Sequence, residues 1–323
     1  MTAQEYIQSK LDSLDTLTGI NKPKSESELV DFIYSKVTSK KFRKYSLSPE
    51  ASDHIKSSIT KNVQAGDPIK ATLVFGGYKI WRFEESPEVD WAELFSFMYY
   101  TNWMKPICEV YKPGVWYDFY SDDVIVPVIN NVSPEDTKSY RQSFEQLLKF
   151  IKPYQPNNLD MTYNRVGDQY ESFQKFQKDL DEQMKDLSDS LEGGYPDIDE
   201  LSRSIVELNV KLTPEQETDP LWREKVQLTH DAYMKVSGRR PYYRTPDKFN
   251  IMTTPFNGML SVGTTKDSIM KFWIGTGALK PKDDSFRQII LSPNQLQNAN
   301  FTWQDIDIGK LKGKNFKRIR VLS

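Results

Sequence analysis

A chain of 323 residues with 17 Tyr, 17 Phe and 7 Trp has the length and aromatic content for a sizeable core, which excludes a disordered chain. Its 43 basic and 45 acidic side chains leave a formal charge of −2, which excludes a dominant positive field for non-specific nucleic-acid binding. One cysteine, Cys108, allows no internal disulfide and points to a reducing, cytoplasmic setting; two histidines exclude a histidine-rich metal site; and no stretch reaches the length of a membrane span.

The first 24 residues read as a short helix and a loop. Ser25-x-x-Glu28 is a capping box ahead of Leu29, Phe32, Ile33 and Val37, which share one helical face. The run Lys40-Lys41-Phe42-Arg43-Lys44 reads first as a solvated helix end and second as an anchor for a phosphate. A helix around 51–66 carries His54, read as a structural histidine. Ile69 to Phe75 is a strand closed by Gly76-Gly77.

Ser86-Pro87 has the grammar of a helix start, and the helix runs to about Trp103, burying Trp91, Leu94, Phe95 and Met98. Asp90 and Glu93 in its first turns complement the helix dipole. Tyr111 to Gly114 is a turn. Val115–Tyr120 and Val124–Val128 read as a hairpin around Ser121-Asp122-Asp123, whose carboxylates are turn formers or ligands for a cation or for sugar hydroxyls. Ser133-Pro134 opens a helix with Phe144, Leu147, Leu148 and Ile151 in a stripe.

The seam Phe173, Phe176, Leu180, Met184, Leu187 and Leu191 predicts a long charged helix over 170–191 that packs on the body or, alternatively, pairs two copies as a homodimer. Further helices are expected around 198–208 and from Thr213-Pro214-Glu215-Gln216 to about Val236. Gly238 to Arg244 is a basic and aromatic loop. Strands are expected at Phe249–Met252 and Met259–Val262. Gly263 to Ser268 resembles a phosphate loop leading into a helix, without the lysine–hydroxyl pair of a P-loop. The tail from Phe301 to Leu322 adds one or two edge strands.

Gly77-Tyr78-Lys79, Val89-Asp90-Trp91-Ala92-Glu93, Tyr111-Lys112-Pro113-Gly114-Val115 and Ser121-Asp122-Asp123 follow one another in a familiar order. In this stretch of about sixty residues the chain resembles the isocyanide (isonitrile) synthases and the related dityrosine-spore-wall and pyoverdine-cluster proteins. Ala232-Tyr233, Arg240-Pro241-Tyr242-Tyr243-Arg244 and Thr254-Pro255-Phe256 add weaker similarities. The chain departs from the family at Asp123, where the family has glycine.

The resemblance implies an α/β fold with a Rossmann-like mixed sheet flanked by helices. The expected organisation is a helical segment at 1–66, an α/β core at 67–152 and 238–323, and a helical insertion at 153–237 packed on the core. It also implies an enzyme that joins an amino acid's amine to a carbon from ribulose 5-phosphate, with no metal and no nicotinamide cofactor. Lys79, Glu93 and Asp122 are then the catalytic candidates. Asp90, Trp91, Tyr111, Gly114, Ser121, Asp123, Arg244 and Lys248 are the substrate-binding ones. Arg244, Lys248 or Lys79 would hold the sugar phosphate, Asp122, Glu93 or Asp90 would move protons, and Trp91 or Tyr111 would wall the amino-acid side chain. Lys79 forms a Schiff base only if burial lowers its pKa. Two alternatives stay open: a nucleotide or sugar transferase with a metal at Asp122-Asp123 and a phosphate at Lys266, and a non-catalytic interaction protein.

Overall fold

The apolar run Ile69–Phe75 forms β1, the middle strand of a parallel sheet. The molecule is described from a computed structural model over residues 1–16, 18–79, 84–126, 132–190, 218, 228–233, 235–236, 245–253 and 259–323. β2 (Val115–Ser121), β3 (Leu159–Arg165), β4 (Lys248–Met252) and β5 (Leu260–Ser261) complete the sheet in the order β3-β2-β1-β4-β5. Every pair in it is parallel, and the order is that of a Rossmann sheet. The α/β expectation is met, with the mixed pairing found in a second sheet. There, β6 (Thr276–Lys282), β7 (Ser285–Leu291), β8 (Phe301–Asp305) and β9 (Arg318–Leu322) run in the order β7-β6-β9-β8. Only the β6–β9 pair in this sheet is parallel.

Between the sheets lies α4 (Trp91–Val110), after α1 (Ala3–Asp12), α2 (Glu26–Val37) and α3 (Pro49–Ala65). Sixteen of its twenty residues are buried, as a helix enclosed on all sides requires. On one side Tyr100 stacks on Tyr117 at 5.2 Å and Phe97 meets Phe119 at 5.0 Å. On the other side Gly277 of β6 passes so close that a Cβ there would lie 2.5 Å from Ala92 N. α5 (Pro134–Ile151) shares the parallel-sheet side, its Phe144 packing on Phe75 and Phe119. α6 (Phe173–Ser190) follows β3, and the short α7 (Pro293–Asn298) links β7 to β8.

Several expectations change. α4 begins at Asp90 rather than Ser86, because Asp90 accepts from Ala92 N and Glu93 returns a bond to Asp90 N in a capping box. The hairpin at 115–128 is absent among the described residues. β2 is paired on both edges by parallel strands, and the chain turns away at 123–125. Leu159–Arg165, expected within the helical insertion, is an edge strand of the sheet. The 263–268 segment closes on itself, its Thr264 and Thr265 amides donating to Ser268 O, so those amides are not offered to a phosphate and no helix follows. The β6–β7 hairpin, unanticipated, lies beyond it. The tail supplies one edge strand, β8, and one inner strand, β9. The α6 seam is used within the chain, with Phe176 and Leu180 packed among Tyr120, Val166 and Tyr233. Expectations for 198–208, 213–216, Arg240 to Arg244 and Thr254 to Phe256 lie outside the described residues.

Candidate active site

Gly77, at φ +70°, turns the chain after β1 tightly against the end of β2. A Cβ there would lie 2.6 Å from Ser121 Cβ and 3.1 Å from Asp123 Cβ. Lys79 then points back toward α4 and is 1% exposed. Its ammonium donates to both Glu93 oxygens at 3.1 Å, to Phe272 O at 2.7 Å and to Gly275 O at 2.8 Å, with Asp90 Oδ1 at 3.1 Å. Tyr140 donates to Glu93 Oε1. Burial opposes the Lys79 charge, but Asp90, Glu93 and Glu84 outweigh it and hold its pKa above the usual lysine value. Burial raises the Glu93 carboxyl, Lys79 opposing and Asp90 adding. Burial likewise lifts Glu84 to about 7, with Asp90 adding and Arg320, bonded to it at 2.6 Å, opposing. Three carboxyls thus face two cations across the cluster. The cluster ties the β1 turn, the start of α4 and the approach to β6 together. Its ammonium has no hydrogen left for a substrate.

The other side of the sheet is built differently. Asp118, Tyr120 and Asp122 follow strand alternation onto the face opposite α4. Asp122 N is held by Phe75 O at 2.9 Å, and its Oδ1 accepts from the Tyr233 hydroxyl. Burial lifts the Asp122 carboxyl to about 7; Tyr233 opposes and Asp123 adds. Asp123 turns instead to Arg165 Nε at 2.7 Å, and its buried Oδ1 has no hydrogen-bond partner. The adjacent carboxylates therefore diverge, which is poor geometry for sharing one cation. No group of three or more metal-ligating side chains occurs among the described residues.

Below Asp122 a polar row crosses four strands. Register pairs Thr162 with Asp118, Asp118 with Thr72 and Thr72 with Asn250. Strands of a covered parallel sheet are ordinarily apolar throughout, so this row needs a reason. Asp118, fully buried, accepts from Thr162 Oγ1 at 2.8 Å and Asn164 Nδ2 at 2.6 Å. Trp116 Nε1 donates to Thr162 Oγ1, and the buried Thr72 Oγ1 has no hydrogen-bond partner. Lys248 begins the next row, its ammonium 6.0 Å from the Trp116 ring centre. Burial lowers the Lys248 pKa to about 8, with Asp118 and Asp247 opposing.

The candidates named from sequence thus fall into three places. Lys79, Asp90 and Glu93 form the closed cluster beside α4, and Trp91 stands at the start of that helix, its Nε1 bonded to Arg318 O. Ser121, Asp122 and Asp123 meet at the carboxyl edge, where ligands of open α/β sheets bind. Tyr111 and Gly114 lie at the opposite edge, the Tyr111 hydroxyl being taken by Asn62 O and Asp67 O. Lys248 starts its strand at that same edge, one row below Asn250 on the face of the polar row. Arg244 lies outside the described residues. Arg165, Thr72, Asp118, Thr162 and Asn164 were missed. The one available signal was polar residues at alternate positions of otherwise apolar strands.

No family model matches the chain, and no curated protein matches it in sequence. Among solved structures it is similar to the PvcA protein from Pseudomonas aeruginosa, at 14% identity and a TM-score of 0.65. The match covers 91% of this chain and 100% of PvcA. The likeness is one of fold, and it meets the fold expected from the isocyanide-synthase and pyoverdine-cluster resemblance. A CDPS from Fluoribacter dumoffii matches 61% of this chain and 83% of its own at 13% identity, with a TM-score of 0.29. No helix among the described residues is long and apolar enough to cross a membrane.

Proposed function

We propose that this chain is a divergent isocyanide-synthase-like enzyme that condenses the amine of an amino acid with a phosphosugar such as ribulose 5-phosphate. The observation that carries the reading is Asp122. It is a carboxyl at the carboxyl edge of a Rossmann-ordered sheet, lifted by burial to about 7 and standing on the same face as the polar row. A group that titrates near neutrality gives and takes protons readily at working pH.

In this reading the amine nitrogen adds to the sugar carbonyl carbon, and the carbonyl oxygen becomes a hydroxyl. Asp122 protonates that hydroxyl, which leaves as water as the carbon–nitrogen double bond forms. Tyr233 steadies the carboxylate that results. Asp123 Oδ1 accepts a hydrogen bond from the substrate amine, which enters as the free base. The Thr72–Asn250 row offers hydrogen-bonding groups to the sugar hydroxyls, and Arg165, beside Asp123 at the carboxyl edge, supplies positive charge for the phosphate. Lys79, Asp90 and Glu93 position the β1 turn.

The test is a thermal-shift series followed by mass spectrometry of reactions with amino acids and ribulose 5-phosphate. The expected result is stabilisation by ribulose 5-phosphate and an isocyanide product that disappears in Asp122→Asn. Stabilisation by a nucleotide only with a divalent metal would overturn the proposal in favour of a transferase.

A further inference from the structure

On the α4 side of the parallel sheet, α1, α2, the carboxyl half of α4 and the β6–β7 hairpin enclose a cleft of about 650 Å³. Six lysines line it: Lys10, Lys36, Lys41, Lys105, Lys266 and Lys282. None of the six is in an ion pair among the described residues. Arg287 lines it as well, and its partner Asp267, at 3.7 Å, is the one acid in the wall. Glu109, near Lys105, is already held by Thr18 N at 2.6 Å and Thr18 Oγ1 at 2.8 Å. In a chain of formal charge −2, seven cations have been gathered around one carboxylate. Such a concentration repels itself and focuses anions into the concavity.

Lys105 shows that the charge reaches the floor. It is 7% exposed, its ammonium is bonded to Ser13 O at 3.1 Å, and burial lowers its pKa, with Glu109 and Asp15 opposing and Lys41 adding. Of the rings in the wall, Phe42 is 7% exposed, Trp103 1% and Tyr99 8%, and Phe286 is half-buried. One half-buried ring is no platform for successive stacked bases, which disfavours a nucleic-acid strand. The volume lies in the range of small-molecule sites. Trp103 packs on Tyr117, on the α4 face of the sheet, whereas Asp122 and the polar row lie on the other face.

We propose that this cleft is a binding site for a compact polyanion carrying several phosphates, of the nucleoside polyphosphate or inorganic polyphosphate class. It is separate from the Asp122 site and does not depend on the activity assigned there.

Titration calorimetry with inorganic tripolyphosphate, ATP, orthophosphate and a single-stranded RNA oligonucleotide tests it. Lys282→Glu/Arg287→Glu reverses two exposed charges of the cleft, and Lys175→Glu/Lys178→Glu on α6, which changes the net charge by the same amount, is the control. Melting followed by circular dichroism verifies that both variants fold. Tripolyphosphate and ATP should bind saturably and more tightly than orthophosphate, at least about tenfold more weakly in Lys282→Glu/Arg287→Glu, and unchanged in Lys175→Glu/Lys178→Glu. ATP binding more tightly than tripolyphosphate assigns the nucleoside form; equal affinity assigns the phosphate chain alone. The proposal is overturned by no saturable binding, by an equal loss in Lys175→Glu/Lys178→Glu, or by RNA binding that outcompetes both polyphosphates.

Discussion

Lys79 Nζ stands 3.1 Å from both carboxylate oxygens of Glu93, and neither side chain is exposed to solvent. Removing one member of a buried pair strands the other without a partner, at a cost of about 3–5 kcal/mol. Lys79→Met should therefore lower the urea midpoint by a large step. Lys79→Met/Glu93→Leu should be milder than the sum of the two single changes, because Glu93 is then no longer stranded and Asp90 alone is left facing the gap. A Lys79→Met protein of unchanged midpoint would show that the contact is not structural.

Asp122 gives a signed pH dependence. Its carboxyl titrates near 7 in the folded chain against an ordinary value of 3.8, so in that window the folded state holds a proton that the unfolded chain releases. Where the native state binds more protons, stability falls as pH rises, so this contribution is present below the ordinary value and lost through about pH 7. Urea midpoints at about pH 5 and about pH 8 should differ in this direction, and Asp122→Asn should reduce the difference, leaving the part contributed by Glu84, which is also lifted to about 7. An equal slope in the variant would move the proton to another group.

Gly277 is predicted to be irreplaceable by alanine. The added Cβ would meet Ala92 N, Trp91 C and Trp91 Cβ, each at 2.5 Å, and two of these atoms are backbone. Overpacking of this kind costs about 1–3 kcal/mol or more, so Gly277→Ala should melt several degrees lower in calorimetry.

The polar row separates charge from hydrogen bonding. Asp118→Ala leaves Thr162 and Asn164 donating to nothing and should cost about 1–3 kcal/mol per stranded group. Asp118→Asn keeps an acceptor, so most stability should return, while the Lys248 pKa should fall below its present value of about 8 as an opposing charge is lost. Titration of the lysine by NMR reads that shift, and an unmoved Lys248 would show that Asp118 does not act on it.

Much of the frame was legible in the sequence. Ser25 and Ser133 cap α2 and α5, and Ile69–Phe75 reads as a strand because its residues are apolar and largely β-branched or aromatic. Failures came where one pattern serves two structures. Val124 and Ile125 are as apolar as a second hairpin strand, but their partners are Tyr233 and Phe176, far along the chain. Leu159–Arg165 is polar at alternate positions because its outer face joins the Asp118 row, so its strand character was hidden. Lys79 and Asp122 are close in motif order, but strand alternation divides them between opposite faces. Sequence spacing alone does not show which face a turn will choose.

α4 leaves the molecule with no natural cutting point. Its apolar surface is matched by the parallel sheet on one side and by β6 and β7 on the other. A fragment ending before Thr276 would carry a bare strip of tyrosine, phenylalanine and tryptophan into water. Isolated halves would therefore aggregate, and a chain nicked in an exposed loop would work only by reassembly of both pieces around that helix. For anyone dividing this protein for crystallography or fusion, the two sheets are a single cooperative unit and must be kept together.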